Sequence, residues 1–244
     1  MKRANVCGAG RQRAFTLIEL MVAITLGILL LLGAITVFFS VRQTSSEQTQ
    51  LAQLQDNQRV ALTLMTDVIQ EAGYFYNTPS NPAQLTTVQA ALPADNLFVT
   101  AGQAVATTGV NTPQGDNVSV RFKTANGDGV INCLGSTNQS GAAVTYINTF
   151  SVDTNNELVC SLNGTTAIPL VSGVQKLQVL YGVDTDGDGS ADSYLGAGAM
   201  TTVNWMNVKS IRVTITFTNP LAAQAGQSNT PTISLTRVIA IMGQ

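Results

Sequence analysis

Hydrophobic residues in this chain follow three successive patterns. From Phe15 to Phe39 they run almost unbroken, FTLIELMVAITLGILLLLGAITVFF, with Glu19 the one charge. From Ser45 to Gly73 they recur at three- and four-residue steps, and from Asp116 they alternate with polar residues. Each pattern predicts a different element. The first, at about 1.5 Å rise per residue, makes roughly 37 Å of helix, enough for a ~30 Å hydrocarbon core. In the second, Leu51, Leu54, Gln58, Ala61, Met65, Val68 and Ala72 form a stripe that Leu62, Leu64 and Ile69 widen, while Glu47, Gln50, Asp56 and Arg59 fall outside it. A stripe this wide predicts a helix packed on its own domain rather than a two-stranded coiled coil. No proline or glycine interrupts it before Gly73, the expected C-cap. Residues 15–39 and 40–73 therefore read as one helix, apolar all round and then amphipathic.

Residues 74–115 show no clear period and contain Pro79, Pro82, Pro93 and Pro113, which predicts loops with at most a short helix. Beyond them the period is two. Val118, Val120 and Phe122 alternate with Ser119, Arg121 and Lys123, and a second run begins at Val144. Further strands are expected at Leu158–Leu162, Val174–Val183, Val208–Thr218 and Ile233–Ile241, with turns at 126–129 and 155–156. The fold class is α+β, with an antiparallel sheet in residues 74–244 wrapped against the amphipathic half of the helix.

Charge and chemistry narrow the function. The chain has no histidine, which removes Ser-His-Asp and Cys-His nucleophilic sites and imidazole-dependent zinc sites. No glycine-rich phosphate loop joins a strand to a helix, so nucleotide binding is not expected. Asp116, Asp153 and Glu157 read as surface charges in turns, and Tyr194 and Trp205 as packing residues. The chain reads as a non-enzyme.

One loop carries chemistry. Asp184-Thr185-Asp186-Gly187-Asp188-Gly189-Ser190-Ala191-Asp192 places carboxylates at positions 1, 3, 5 and 9 and glycine at 6, with Ser190 at the backbone-carbonyl position 7 of an EF-hand loop. Position 12 is Leu195 rather than a bidentate glutamate, and no helices flank the loop. Two readings stay open. Asp184, Asp186, Asp188, Ser190 and Asp192 hold a structural Ca²⁺ between strands, or the loop is a solvated acidic hairpin turn.

The N-terminus supplies an address. Lys2, Arg3, Arg11 and Arg13 precede the apolar stretch without any acid, and only Arg42 follows it closely, which places the N-terminus in the cytoplasm. Arg11-Gln12-Arg13-Ala14-Phe15-Thr16-Leu17-Ile18-Glu19-Leu20 resembles the class III signal of type IV prepilins and type II secretion pseudopilins. The resemblance implies cleavage between Ala14 and Phe15 by a prepilin peptidase/methyltransferase and N-methylation of Phe15. Ala14 stands where the family usually has glycine. Residues 1–14 would then be a leader, and Glu19 the fifth residue of the mature chain. An acid at a helix centre in lipid costs about 2.5–3.5 kcal/mol, less toward the end, so Glu19 is costly unless partnered. The freed Phe15 amine is a suitable partner, within a subunit or between neighbours, and Glu19 is the expected assembly residue.

With Cys7 in the leader, Cys133 and Cys160 remain. An even pair in a periplasmic domain is most simply a disulfide, contributing about 3 kcal/mol by loop closure; two buried thiols are the alternative. The leader also carries four of the 12 basic residues and none of the 14 acidic ones. A chain beginning at Phe15 is thus clearly acidic, and direct nucleic-acid capture is not expected.

A finer resemblance comes from Arg59 to Phe75 (RVALTLMTDVIQEAGYF), from Pro169 to Asp184 (PLVSGVQKLQVLYGVD), from the DTDGDGSAD loop, and from Trp205 to Val213. These look like the PilW family of minor pilins, which is similar to the GspJ pseudopilins. The resemblance implies a type IV pilin fold, a single-pass inner-membrane anchor with the head in the periplasm, and later a place at the pilus tip on the cell surface. Its implied partners are other minor pilins, a PilY1-like adhesin and the major pilin, in a tip complex that primes type IV pilus assembly. The alternatives are a type II secretion minor pseudopilin and, in another class, a tip-located binding or adhesion module.

Overall fold

The computed structural model describes residues 16–76, 87–109, 112–222 and 230–242. The leader, the Ala14–Phe15 cleavage position and the N-methylation position lie outside them. Two compact units are present, 1–49 and 50–244, and a single helix, α1 (Leu17–Gln70), contributes to both.

In the first unit the helix has no packed face. Large apolar side chains from Leu17 to Val41 are exposed on all sides, and the segment is long and apolar enough to cross a membrane. In the second unit the same helix has a buried stripe. Leu54, Ala61, Leu62, Met65, Val68 and Ile69 lie in the core, continued by Ala72 just beyond the helix end. The helix stops at Gln70, three residues before the expected cap. A turn follows, and the Gly73 N–H donates to the Arg121 carbonyl at 2.9 Å. The chain thus leaves the helix directly onto a strand edge, continued by a parallel bridge from Phe75 to Lys123.

The expected antiparallel sheet is two sheets. Five strands, β1 (Val105–Ala106), β2 (Val118–Thr124), β3 (Val144–Val152), β4 (Glu157–Leu162) and β5 (Ile168–Ser172), form a meander in sequence order. Four more, β6 (Val174–Val183), β7 (Ser193–Leu195), β8 (Val208–Thr218) and β9 (Thr232–Ala240), pair in the order β7-β6-β8-β9. All pairings between strands are antiparallel. β5 and β7 escape a pattern reading because β5 carries Pro169 and β7 has three residues, too few to show a period. The boundary between sheets falls at Gly173, between β5 and β6. Short helices α2 (Val88–Ala91) and α3 (Thr202–Met206) are each capped by a threonine hydroxyl, Thr87 and Thr201.

One core joins the helix stripe to both sheets. Val118, Val120, Phe122, Phe150 and Leu158 enter it from the first, and Leu177, Val179, Tyr181, Ile211, Val213, Ile215 and Phe217 from the second. Trp205 on α3 packs edge-on to Tyr181 with ring centroids 4.7 Å apart, as its packing reading requires. The disulfide Cys133–Cys160 is present, with a Cα–Cα distance of 6.3 Å, and ties the loop before β3 to β4.

β2 departs from simple alternation, since its polar face is also buried. Arg121 is 2% exposed. Its Nε donates to the Gln103 carbonyl at 2.7 Å, and its guanidinium nitrogens to those of Pro93 at 2.6 Å and Leu92 at 3.1 Å. The same group lies 4.3 Å from the Phe98 ring centroid and 3.3 Å from Asp95 Oδ2. Segment 87–104 has little sheet pairing of its own, so a five-donor fork from the neighbouring strand satisfies its carbonyls. Asp116 is likewise a fastener rather than a surface charge: its carboxylate accepts the Val179 N–H at 3.0 Å, and its N–H donates to the Leu177 carbonyl.

Removing the fork leaves buried carbonyls without donors. We expect Arg121→Met to lower stability by about 3 kcal/mol in urea unfolding of the purified chain. Asp95→Asn, at a half-exposed carboxylate, should cost less than about 1 kcal/mol. Equal effects would show that the ion pair, not the carbonyl fork, holds the segment.

Candidate functional site

Glu19 lies in the first turn of α1, where an acid complements the positive end of the helix. Its N–H donates to Thr16 Oγ1 at 3.3 Å and to the Thr16 carbonyl at 3.1 Å, so Thr16 opens the helix as a hydroxyl cap. Around it Leu17, Ile18, Leu20, Met21 and Val22 are exposed. The local chemistry is a single carboxylate on an otherwise apolar cylinder. At the far end of that cylinder the Arg42 guanidinium sits 4.8 Å from the Phe38 ring centroid.

The acidic loop connects β6 to β7. Asp184, 4% exposed, follows the last residue of β6, and its N–H donates to the Asn207 carbonyl. Its two carboxylate oxygens accept from the Gly187 N–H at 2.7 Å and the Gly189 N–H at 2.9 Å. Both glycines have left-handed backbone, φ +82° and +90°, which aims those N–H groups back at Asp184. Asp186 accepts from the Asp188 N–H, and Asp188 from the Ser190 N–H. One oxygen from each of Asp184, Asp186 and Asp188 lies within 4.8 Å of the others.

The five expected ligand positions therefore divide. Three carboxylates converge. Asp192 is occupied elsewhere: its Oδ2 accepts both the Thr185 N–H and the Thr185 hydroxyl at 2.7 Å, closing the base of the loop. Ser190 enters the network as an N–H donor to Asp188. The converging carboxylates of Asp184, Asp186 and Asp188 are hard oxygen donors placed closely enough to hold a metal ion.

Beside the loop, Tyr194 lies on the face of its sheet that points away from the core. Gly182 makes room for it, since a Cβ there would collide with Ser210 Oγ and sit 3.0 Å from the ring. The Tyr194 hydroxyl bonds Ser210 Oγ at 3.0 Å, and the Arg212 guanidinium stacks 3.8 Å from the ring centroid. This ladder of contacts holds β7 to β6 and β8. Nothing in the sequence beyond the glycine inside a strand hints at it.

The carboxylate of Asp192 is held below its usual value, first by the Thr185 hydroxyl and then by the Thr185 N–H. A depressed carboxyl stabilises the folded loop above its ordinary value of 3.8 and loses that effect as pH falls below it. Amide exchange at Thr185 should therefore keep its protection down to the ordinary carboxyl value of 3.8 and lose it only as pH falls further. In Asp192→Asn that protection should already be weakened at neutral pH. Unchanged protection in the variant would remove Asp192 from the loop's base.

Comparison with known families meets both ends of the chain. Residues 10–35 match the prokaryotic N-terminal methylation motif, the segment that contains Ala14, Phe15 and Glu19. Residues 135–240 match Type IV Pilus-assembly protein W, a span that takes in Cys160, the acidic loop and strands β3 to β9. Among individual curated proteins no significant match is found. Together the two family matches cover more than half of the chain. An N-terminal helix able to span a membrane, continuing into a face packed on antiparallel sheets, is the pilin-like architecture those families imply. By its N-terminal motif and its head, the chain matches a type IV pilus minor pilin of the PilW family.

Proposed function

We propose that this chain is a structural subunit of a pilus-tip complex that primes type IV pilus assembly. It does so beside other minor pilins and a PilY1-like adhesin, with the major pilin extending the fibre beneath. The observation that carries the reading is the joining of a methylation-motif anchor to a PilW-type head in one chain. In this reading a prepilin peptidase/methyltransferase cuts between Ala14 and Phe15 and methylates Phe15. The anchor then stays in the inner membrane with the head in the periplasm, until assembly carries the subunit to the tip.

Glu19 is the guide for that step. A lone carboxylate in lipid gains most by pairing with a cation, and a freed Phe15 amine places one a turn away or on a neighbouring subunit. The pairing exists only where helices meet in the right register, which couples assembly to alignment. Deleting the gene should abolish surface pili while the major pilin remains in the membrane. Complementation with Glu19→Val should restore the membrane-inserted protein but not piliation. Normal piliation in the deletion strain would overturn the tip-priming role.

The acidic loop has a quieter part. A Ca²⁺ held by Asp184, Asp186 and Asp188 neutralises three converging carboxylates and braces the β6–β7 connection. We expect calorimetry on the purified chain to show Ca²⁺ binding below millimolar concentration, lost in the Asp186→Asn, Asp188→Asn double variant. No heat at millimolar Ca²⁺ would leave the loop as a hairpin turn held by its own hydrogen bonds.

A further inference from the structure

Four strand edges bound the two sheets, and three are unsuited to receive another chain. β1 has two residues and β7 three. β5 contains Pro169, pairs with β4 through an irregularity at Leu158/Val159, and has its Ser172 carbonyl engaged by Asn57. Short strands, proline and irregular pairing are the usual protections of an exposed edge. β9 has none of them. It runs nine residues in unbroken register with β8, from Thr218↔Thr232 to Ser210↔Ala240.

The hydrogen-bond phase shows which groups face outward. The Ile241 N–H donates to the Lys209 carbonyl, and the Asn219 N–H to the Pro231 carbonyl. Antiparallel alternation then assigns the inward bonds to Ile233, Leu235, Arg237 and Ile239. The short side-chain contacts Thr214–Thr236 at 2.8 Å and Thr216–Ser234 at 3.0 Å mark the intervening, non-bonded pairs. Thr232, Ser234, Thr236, Val238 and Ala240 therefore direct N–H and C=O away from β8. The next outward donor, the Met242 N–H, is capped by the Gln70 carbonyl at the end of α1. The free edge is thus bounded, and its length of roughly 27 Å suits one extended segment.

Side chains along it indicate what that segment carries. Ile233, Leu235, Arg237 and Ile239 share the face that looks toward the core, and Arg237 is exposed among them. The described residues contain one ion pair, Arg121–Asp95, so Arg237 has no carboxylate partner there. A second copy of β9 cannot supply one. Its sequence, TISLTRVIA, has no acid, and antiparallel self-pairing sets Arg237 against Arg237, Leu235 or Ile239.

We propose that β9 is a strand-addition edge for an extended segment of another protein chain, with a carboxylate opposite Arg237 flanked at alternate positions by apolar residues. Backbone bonds from the five outward residues supply the affinity, and Arg237 selects the segment and sets its register. The inference does not rest on the pilus-tip reading, because it is tested on the purified full chain in detergent, whereas priming is tested by piliation in cells.

The probes are the labelled peptides acetyl-Thr-Val-Thr-Glu-Thr-Val-Thr-amide and the same peptide with lysine for glutamate, followed by fluorescence anisotropy. The glutamate peptide should bind about fivefold or more tightly than the lysine peptide. Arg237→Glu should invert that preference. Thr236→Pro removes an outward N–H while leaving the β8–β9 bonds intact, so binding should be lost with the circular dichroism spectrum unchanged. Arg237→Glu keeps the test decisive if the proline variant misfolds. Absent binding, equal binding of both peptides, or binding indifferent to Arg237→Glu would overturn the proposal. A homodimer of the wild type that Arg237→Glu leaves intact and Thr236→Pro dissociates would also overturn it, by giving the edge to a second copy.

Discussion

The head depends on one helical face. Leu54, Ala61, Met65, Val68 and Ile69 enter the same core as the inward residues of both sheets, and neither sheet could bury its apolar side without them. An antiparallel sheet with one apolar face needs a second layer, and here the amphipathic end of α1 is that layer for two sheets at once. This shared wall explains why one core suffices for two sheets. It also explains why the chain passes straight from the helix end onto β2, through the Gly73 N–H and the Phe75–Lys123 bridge.

Periodicity made most of this legible. The limits of β6 and β8 follow directly from their alternation, and the helix stripe from its three-four spacing. What escaped was everything in which a polar residue works against its usual sign. Arg121 stands at a polar position of an alternating strand, which ordinarily means water. Here it means a second buried face, because residues 92–103 lie over it and need donors for their carbonyls. Asp116 misleads in the same way, since a carboxylate that accepts a strand N–H looks in sequence like any turn aspartate. A pattern reports how much polarity a position has, not who satisfies it.

The acidic loop shows the same limit from the other side. Spacing identified five oxygen-bearing residues, yet spacing cannot tell which carboxylates are already committed. Asp192 is committed to Thr185, at two bonds of 2.7 Å. Asp184 anchors the loop through the two glycine N–H groups, which leaves Asp186 and Asp188 exposed at its rim. A loop that has organised its own backbone in this way presents its carboxylates without help from a cation. An ion that bound there would find three converging oxygens already placed, and would lose little of its binding free energy to ordering them.

The two stretches of α1 divide the consequences of change between stability and assembly. The buried side chains Leu54, Leu62, Met65, Val68 and Ile69 have their partners inside the head, so shortening one opens a cavity in the shared core and costs about 2–5 kcal/mol wherever the protein resides. Side chains from Leu17 to Val41 are exposed in the isolated chain, so their free energy depends on lipid or on neighbouring helices. A substitution in that stretch can leave the head intact and still change where the subunit goes. The one charge among them, Glu19, is the extreme case: among the described residues it has no ion-pair partner, and its cost falls only when a cation is brought beside it. Continuity of the helix through both stretches keeps these two kinds of free energy on one element of the chain, so that a folded head and an unpacked apolar stretch coexist in a single protein.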